Sequence, residues 1–83
     1  MNEAWVKDEK GDIVVFPLVG YETMVVESKA LALRLPFMMR GDTQERPSGN
    51  LQLIVTADGA RELAKDILAA VEKIERAQAA KTH

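Results

Sequence analysis

The chain has 83 residues, which is enough for one small domain with a thin hydrophobic core. It contains no cysteine and its only histidine is His83, so the sequence excludes disulfide bonds and predicts no metal and no cofactor. Its 11 basic and 13 acidic residues are mixed along the chain and give a net charge of -2, which disfavours nucleic acid as a partner.

Hydropathy and charge also bear on location and association. No segment approaches the roughly 18 consecutive apolar residues that span a bilayer, and the first twelve residues are too charged for a secretory signal. We therefore expect a cytoplasmic protein without membrane contact. Because a thin core without disulfides or metal is usually supplemented by association, we also expect a homodimer or a higher homo-oligomer.

The first half of the chain predicts short β-structure interrupted by turns. Residues 1–12 are expected to be a loosely ordered N-terminal segment or a first strand, with a turn at Lys10-Gly11-Asp12 because glycine accepts a positive φ. The next eight residues, IVVFPLVG, favour β-structure, but Pro17 lacks an amide donor and so marks an edge, a bulge or a strand start. Gly20 permits a bend before a strand over Tyr21–Glu27 that is apolar on both faces.

A second strand follows a predicted turn at Ser28-Lys29. Its apolar residues alternate, at Leu31, Leu33, Leu35, Phe37 and Met39, and Pro36 indicates either an edge strand or the end of regular pairing. The stretch from Arg40 to Asn50 is rich in glycine, proline and polar residues, so it predicts a mobile, solvent-exposed loop. Its tripeptide Arg40-Gly41-Asp42 is interpreted as a turn and not as an adhesion motif.

The last third predicts a strand that runs directly into an amphipathic helix. Leu51, Leu53 and Val55 alternate in the strand, and Thr56 stands where a helix N-cap is expected. One side of the helix, the apolar arc, is predicted to dock on the sheet, and it comprises Ala60, Leu63, Ala64, Ile67, Leu68, Ala70, Val71 and Ile74.

These elements predict an α+β fold, with a small antiparallel sheet of three to four strands and one long C-terminal amphipathic helix packed on one face. We expect a single domain over residues 13–77 and a frayed tail over 78–83, because the tail lacks large apolar residues. The sheet face left by the helix and the corner around Pro17 supply the candidate interaction residues, which are Pro17, Tyr21, Met24, Val26, Met38 and Ile54. No pattern of catalytic residues is present, so we expect no enzyme activity.

Two sequence blocks resemble a known family. FPLVGYE at Phe16–Glu22 and LQLIVTADGARELAKDILAAVEKIE at Leu51–Glu75, joined by LALRL at Leu31–Leu35, are similar to the BssS family of small bacterial and prophage proteins. The resemblance covers residues 16–77 and is most specific in the first block. It implies a role in the regulation of biofilm formation, without any catalytic residue, and a structural corner at Pro17, Gly20 and Tyr21.

The sequence leaves three functional hypotheses. The first is a small regulatory protein that acts by protein–protein contact, and a phage or prophage inhibitor or adaptor of a host protein belongs to the same class. The second is a small-molecule sensor, in which a dimeric apolar cavity holds a ligand near Leu33, Phe37 and Ile67. The third, a nucleic-acid-binding regulator, is disfavoured because charges of both signs balance along the helix.

Overall fold

The computed structural model describes residues 4–81 as a three-stranded antiparallel sheet followed by one long helix. Strand β1 spans Glu22–Val26, β2 spans Ala30–Phe37, β3 spans Gly49–Thr56, and helix α1 spans Ala57–Lys81. The strands pair in the order β1-β2-β3, so β2 is the central strand. The predicted α+β fold with three to four strands is therefore confirmed.

The chain forms two compact units, which are described separately. The N-terminal unit contains the described residues 4–22 together with Arg34–Gln52. The helical unit contains Thr23–Leu33 and residues 53–81, so all of α1 belongs to it. The expected single domain over residues 13–77 stays a prediction, and the outermost residues of the segments 1–12 and 78–83 lie outside the described part of the chain.

In the N-terminal unit, the predicted turn at Lys10-Gly11-Asp12 is confirmed. Gly11 has a φ of 88°, and a bridge pairs Lys7 with Ile13 on either side of the turn. One carboxylate oxygen of Asp8 accepts hydrogen bonds from the amides of Lys10 (2.9 Å) and Asp12 (3.0 Å). The charged cluster therefore closes a tight turn with its own side chain.

Two prolines of the N-terminal unit, Pro17 and Pro36, lie where their missing amide donor is not needed. A bridge pairs Leu18 with Phe37, in which the Met38 amide donates to the carbonyl oxygen of Pro17 (2.9 Å). The Val19 amide donates in turn to the carbonyl oxygen of Pro36 (3.1 Å). Each proline contributes an acceptor only, so both fit the pairing. The edge-strand alternative for Pro36 is wrong because β2 is central, whereas pairing does end near it, at Phe37.

In the helical unit, two predicted local features are confirmed. A turn connects β1 to β2, with the Lys29 amide donating to the Val26 carbonyl oxygen (3.0 Å). Its central residues, Glu27 and Ser28, have φ values of 52° and 59°, which is the geometry of a type I′ turn. Thr56 caps α1, since its hydroxyl oxygen accepts from the Gly59 amide (3.0 Å).

Burial differs from the sequence-based expectation. None of the large apolar side chains among residues 4–81 is buried, and every residue of β2 is only half-buried. The apolar arc of α1 was expected to be covered by the sheet, but no described residue of the helix is buried. A sheet and an amphipathic helix have formed, yet the side chains that normally make a core keep much of their surface exposed.

Candidate functional site

The predicted interaction residues fall into both units. The N-terminal unit contains Pro17, Tyr21 and Met38, and the helical unit contains Met24, Val26 and Ile54. Tyr21 is 73% exposed, Met24 64% and Ile54 63%, whereas Val26 and Met38 are half-buried. Within the N-terminal unit, the hydrogen bond from Met38 to Pro17 brings these two residues together. The set is therefore not one site within either unit.

A second feature of the N-terminal unit is the apolar segment, residues 13–21. Six of its nine residues have large side chains that are exposed, including Val15 at 71% and Leu18 at 58%. The segment is fixed at Leu18 by its bridge to Phe37, and the ring of Phe16 packs on that of Phe37 with 5.5 Å between centroids. It is thus held in place while most of its apolar surface faces solvent.

A shallow groove lies beside this segment. Its volume is about 330 Å³ and it is lined by Val15, Phe16, Pro17, Met38, Met39, Arg40, Gly41 and Asp42. The walls are mainly apolar, and Arg40 and Asp42 supply the only charges among those lining residues. Methionine side chains repack easily, which suits an adaptable contact surface. The groove therefore extends the exposed surface of the apolar segment.

The carboxylate of Asp42 is occupied by its own loop. One oxygen accepts from the Met39 amide (2.6 Å), the Ser48 amide (2.8 Å) and the Ser48 hydroxyl (2.8 Å). Hydrogen bonds from the Ser48 and Met39 backbone amides, and then from the Ser48 hydroxyl, hold the pKa of Asp42 below its ordinary value. The tripeptide Arg40-Gly41-Asp42 thus closes a turn, in which Gly41 has a φ of 88°.

A polar network across the sheet was not anticipated from the sequence. The Arg34 guanidinium donates to a carboxylate oxygen of Glu22 (2.7 Å) and to the amide oxygen of Asn50 (3.1 Å), and Asn50 donates to Gln52 (3.1 Å). The hydrogen bond and the charge of Arg34 lower the pKa of Glu22, and Glu22 raises the pKa of Arg34 in return. Since both side chains are well exposed, the ion pair positions the strands more than it stabilises them.

This network makes one face of the sheet polar where it lies, which limits where an apolar partner could bind. Four side chains of the network lie on the same face of the sheet within the N-terminal unit, because each is hydrogen-bonded to the next. They are Glu22, Arg34, Asn50 and Gln52. Within β3 the sequence carried a signal for it, since Asn50 and Gln52 are two residues apart and therefore share a face. Finding it required the register between strands, which alternation within one strand does not supply.

The described residues offer neither a metal-binding group nor a membrane-spanning helix. Among residues 4–81, no group of three or more histidine, cysteine, aspartate and glutamate side chains is placed to hold a metal ion. Helix α1, the one helix in this part of the chain, is too polar to cross a bilayer.

Comparison with known proteins gives no assignment. The chain matches no protein-family model, no curated protein and no solved structure. The resemblance to the BssS family therefore rests on the short sequence blocks at Phe16–Glu22 and Leu51–Glu75 alone.

Proposed function

We propose that this protein is a small, non-enzymatic regulatory protein that acts by binding another protein through the apolar segment, residues 13–21. The observation that carries the proposal is the exposure of large apolar side chains along a segment that is nevertheless fixed at Leu18. Contiguous apolar surface of this kind is rare on a soluble monomer unless it contacts a partner. The candidate residues Pro17 and Tyr21 lie on this segment, and Met38 lies beside it in the groove.

The chemistry of the surface favours a protein partner. Aromatic, aliphatic and methionine side chains dominate it, and these residue types are enriched in the centres of protein interfaces. The resemblance to biofilm regulators of the BssS type supports the regulatory part of the proposal. A phage or prophage inhibitor of a host protein would use the same surface, so the two versions share one mechanism.

The test is affinity capture from a bacterial lysate with three forms of the chain. The wild-type chain should enrich a protein that Val15→Asp does not retain, because the new carboxylate would be placed in the contact. The matched control is Gln44→Asp, which adds the same charge at an exposed position of the loop between β2 and β3. Enrichment of no protein by the wild-type chain, or equal loss with both variants, would contradict the proposal.

The groove supports a second candidate function, that of a small-molecule sensor. Its volume of about 330 Å³ is at the small end of ligand sites, which begin near 300 Å³. Of the residues expected from sequence to line a ligand cavity, Phe37 belongs to the N-terminal unit, and Leu33 and Ile67 belong to the helical unit. Native mass spectrometry of protein from its host should show a retained ligand, and a spectrum of the bare chain would count against this candidate.

A further inference from the structure

The apolar arc of helix α1 is only partly covered. Its large side chains range from 40% exposed at Val71 to 64% exposed at Leu68, and no described residue of the helix is buried. Most of the stability of a protein helix comes from packing of its apolar face, because an isolated helix is marginal in water. A 25-residue helix with about half of its apolar face exposed therefore lacks part of the contact that would stabilise it.

The chain exposes more surface than a typical folded monomer of its mass. A folded monomer of this mass exposes about 4,900 Å² by the general scaling of surface with mass, whereas this chain exposes 7462 Å². The difference of about 2,500 Å² greatly exceeds the roughly 800 Å² that one partner buries in an interface of standard size. The excess belongs to the whole chain and to both units, so an interface on the helix arc would cover part of it.

The lengths of the elements show that the sheet could not cover the whole helix. A helix of 25 residues is about 37 Å long, while the longest strands have eight residues and extend about 27 Å. The apolar arc runs from Ala60 to Ile74 and alanine continues along the helix to Ala80. The arc from Ala60 to Ile74 is about 21 Å long, so the strands are long enough for the arc itself but not for the last turns of the helix.

The chemistry of the arc suits a second copy of the same helix. The arc contains no charged residue, so two copies can meet without like-charge repulsion. Basic residues on the outer side already pair within the helix, Arg61 with Asp58 (2.8 Å) and Lys65 with Glu62 (3.9 Å). The arc contains both alanines and larger residues, which lets side chains of one helix fit between those of another.

We propose that the apolar arc of α1 is covered by the same arc of a second copy of the chain, in a helix pair with twofold symmetry. This interface is on the helical unit, whereas the surface of the proposed function is on the N-terminal unit. The two proposals can therefore fail separately.

The first test measures mass in solution by light scattering and sedimentation across a wide range of concentration. The wild-type chain should have twice the mass of one copy, and Ile67→Glu should shift it to one copy or unfold it, because a carboxylate enters the apolar arc. The matched control is Ala69→Glu, which adds the same carboxylate on the opposite side of the helix and should leave the dimer intact. A monomeric wild-type chain, or equal loss of the dimer with both variants, would overturn the proposal.

The second test keeps the proposal falsifiable if Ile67→Glu does not fold. Because the chain has no cysteine, one introduced cysteine forms a disulfide only with the same residue of another copy. We expect Ala64→Cys or Ala70→Cys to cross-link under mild oxidation, since the position nearest the twofold axis brings two Cβ atoms to about 4 Å. Ala69→Cys should not cross-link, and cross-linking as fast there as at both arc positions would contradict the helix pair.

Capture experiments separate this proposal from the proposed function. A dimer that retains no other protein would leave the helix pair standing and remove the regulatory contact. A wild-type monomer that binds another protein in a way that Val15→Asp abolishes would do the reverse. If that protein also protects the Ala64→Cys and Ala70→Cys thiols from alkylation, the arc belongs to it and the helix pair is wrong.

Discussion

Asp42 organises its loop through one carboxylate oxygen. Three donors, two from Ser48 and one from the Met39 amide, converge on that oxygen and favour its ionised form. Its pKa is therefore lower in the folded chain than in the unfolded chain. A depressed pKa contributes stability that is fully present above the unfolded pKa of about 3.9 and is lost as pH falls through the folded pKa.

We expect Asp42→Asn to lower the urea midpoint of unfolding at neutral pH, because the amide cannot reproduce the charged acceptor. The difference between wild type and variant should shrink as pH falls below about 4, because the unfolded wild-type chain is protonated first, and it should vanish only below the lower pKa of the folded chain. Urea titrations at several pH values measure this. Glu45→Gln removes a like charge from the same loop and should show no such pH-dependent loss, while a constant Asp42→Asn difference down to acid pH would contradict the assignment.

The turn between β1 and β2 places two ordinary residues in the left-handed region. Glu27 and Ser28 have φ values of 52° and 59°, and this conformation costs a residue with a Cβ about 1 to 2 kcal/mol. Asparagine and glycine usually occupy such turns. The hairpin is therefore formed at a local cost that the flanking strands must offset.

We expect Ser28→Gly to stabilise the protein by about 0.5 to 1 kcal/mol, since glycine relieves the left-handed strain but adds entropy to the unfolded chain. Chemical denaturation at a fixed protein concentration measures the change. Lys29→Gly is the matched control, because Lys29 lies in the same turn without a positive φ. This variant should destabilise the protein. The same sign for both variants would show that the turn has another geometry.

At the scale of elements, β2 and β3 meet through an aromatic ring over a glycine. Gly49 is buried at the start of β3, and a Cβ placed on it would overlap the ring of Phe37 in β2. The same ring also packs on Phe16, which anchors the apolar segment. The absence of a side chain at Gly49 therefore lets one phenylalanine join three parts of the N-terminal unit.

We expect Gly49→Ala to destabilise the protein by about 1 to 3 kcal/mol, because the added methyl group overpacks against Phe37. Gly20→Ala is a suitable control, since its Cβ would meet Pro36 at 3.7 Å, an ordinary contact distance. Thermal unfolding measures both. Gly49→Ala should cost less stability in a Phe37→Leu background than in the wild-type chain. Additive losses of the two single variants would show that the ring is not the obstacle.

Local chemistry predicted these elements better than it predicted their contacts. The turn at Gly11, the cap at Thr56 and the interruption at Pro17 follow from the backbone properties of single residues, and each is confirmed. The network at Arg34 and the ring over Gly49 depend on which residues face each other across strands. Register is fixed by turn length and pairing, so one strand's pattern does not reveal it.

At the scale of the whole molecule, periodicity shows which face of an element is apolar but not what covers it. The arc of α1 was predicted from its spacing, and its apolar residues do lie on one side of a continuous helix. Spacing along one helix does not say whether the sheet or another molecule lies on the arc, and a chain this short has little apolar surface of its own to supply. The large side chains of the arc are 40% exposed at Val71 and 64% exposed at Leu68, so none of them is buried.

The junction between β3 and α1 has no connecting residue. Thr56 is the last residue of the strand and also caps the helix, so the helix phase follows directly from the strand pleat. One inserted residue here would turn the apolar arc by about 100° relative to the strand. We therefore expect natural and designed variants of this chain to carry no insertion at this junction. The loop after Phe37, in contrast, has room to vary in length.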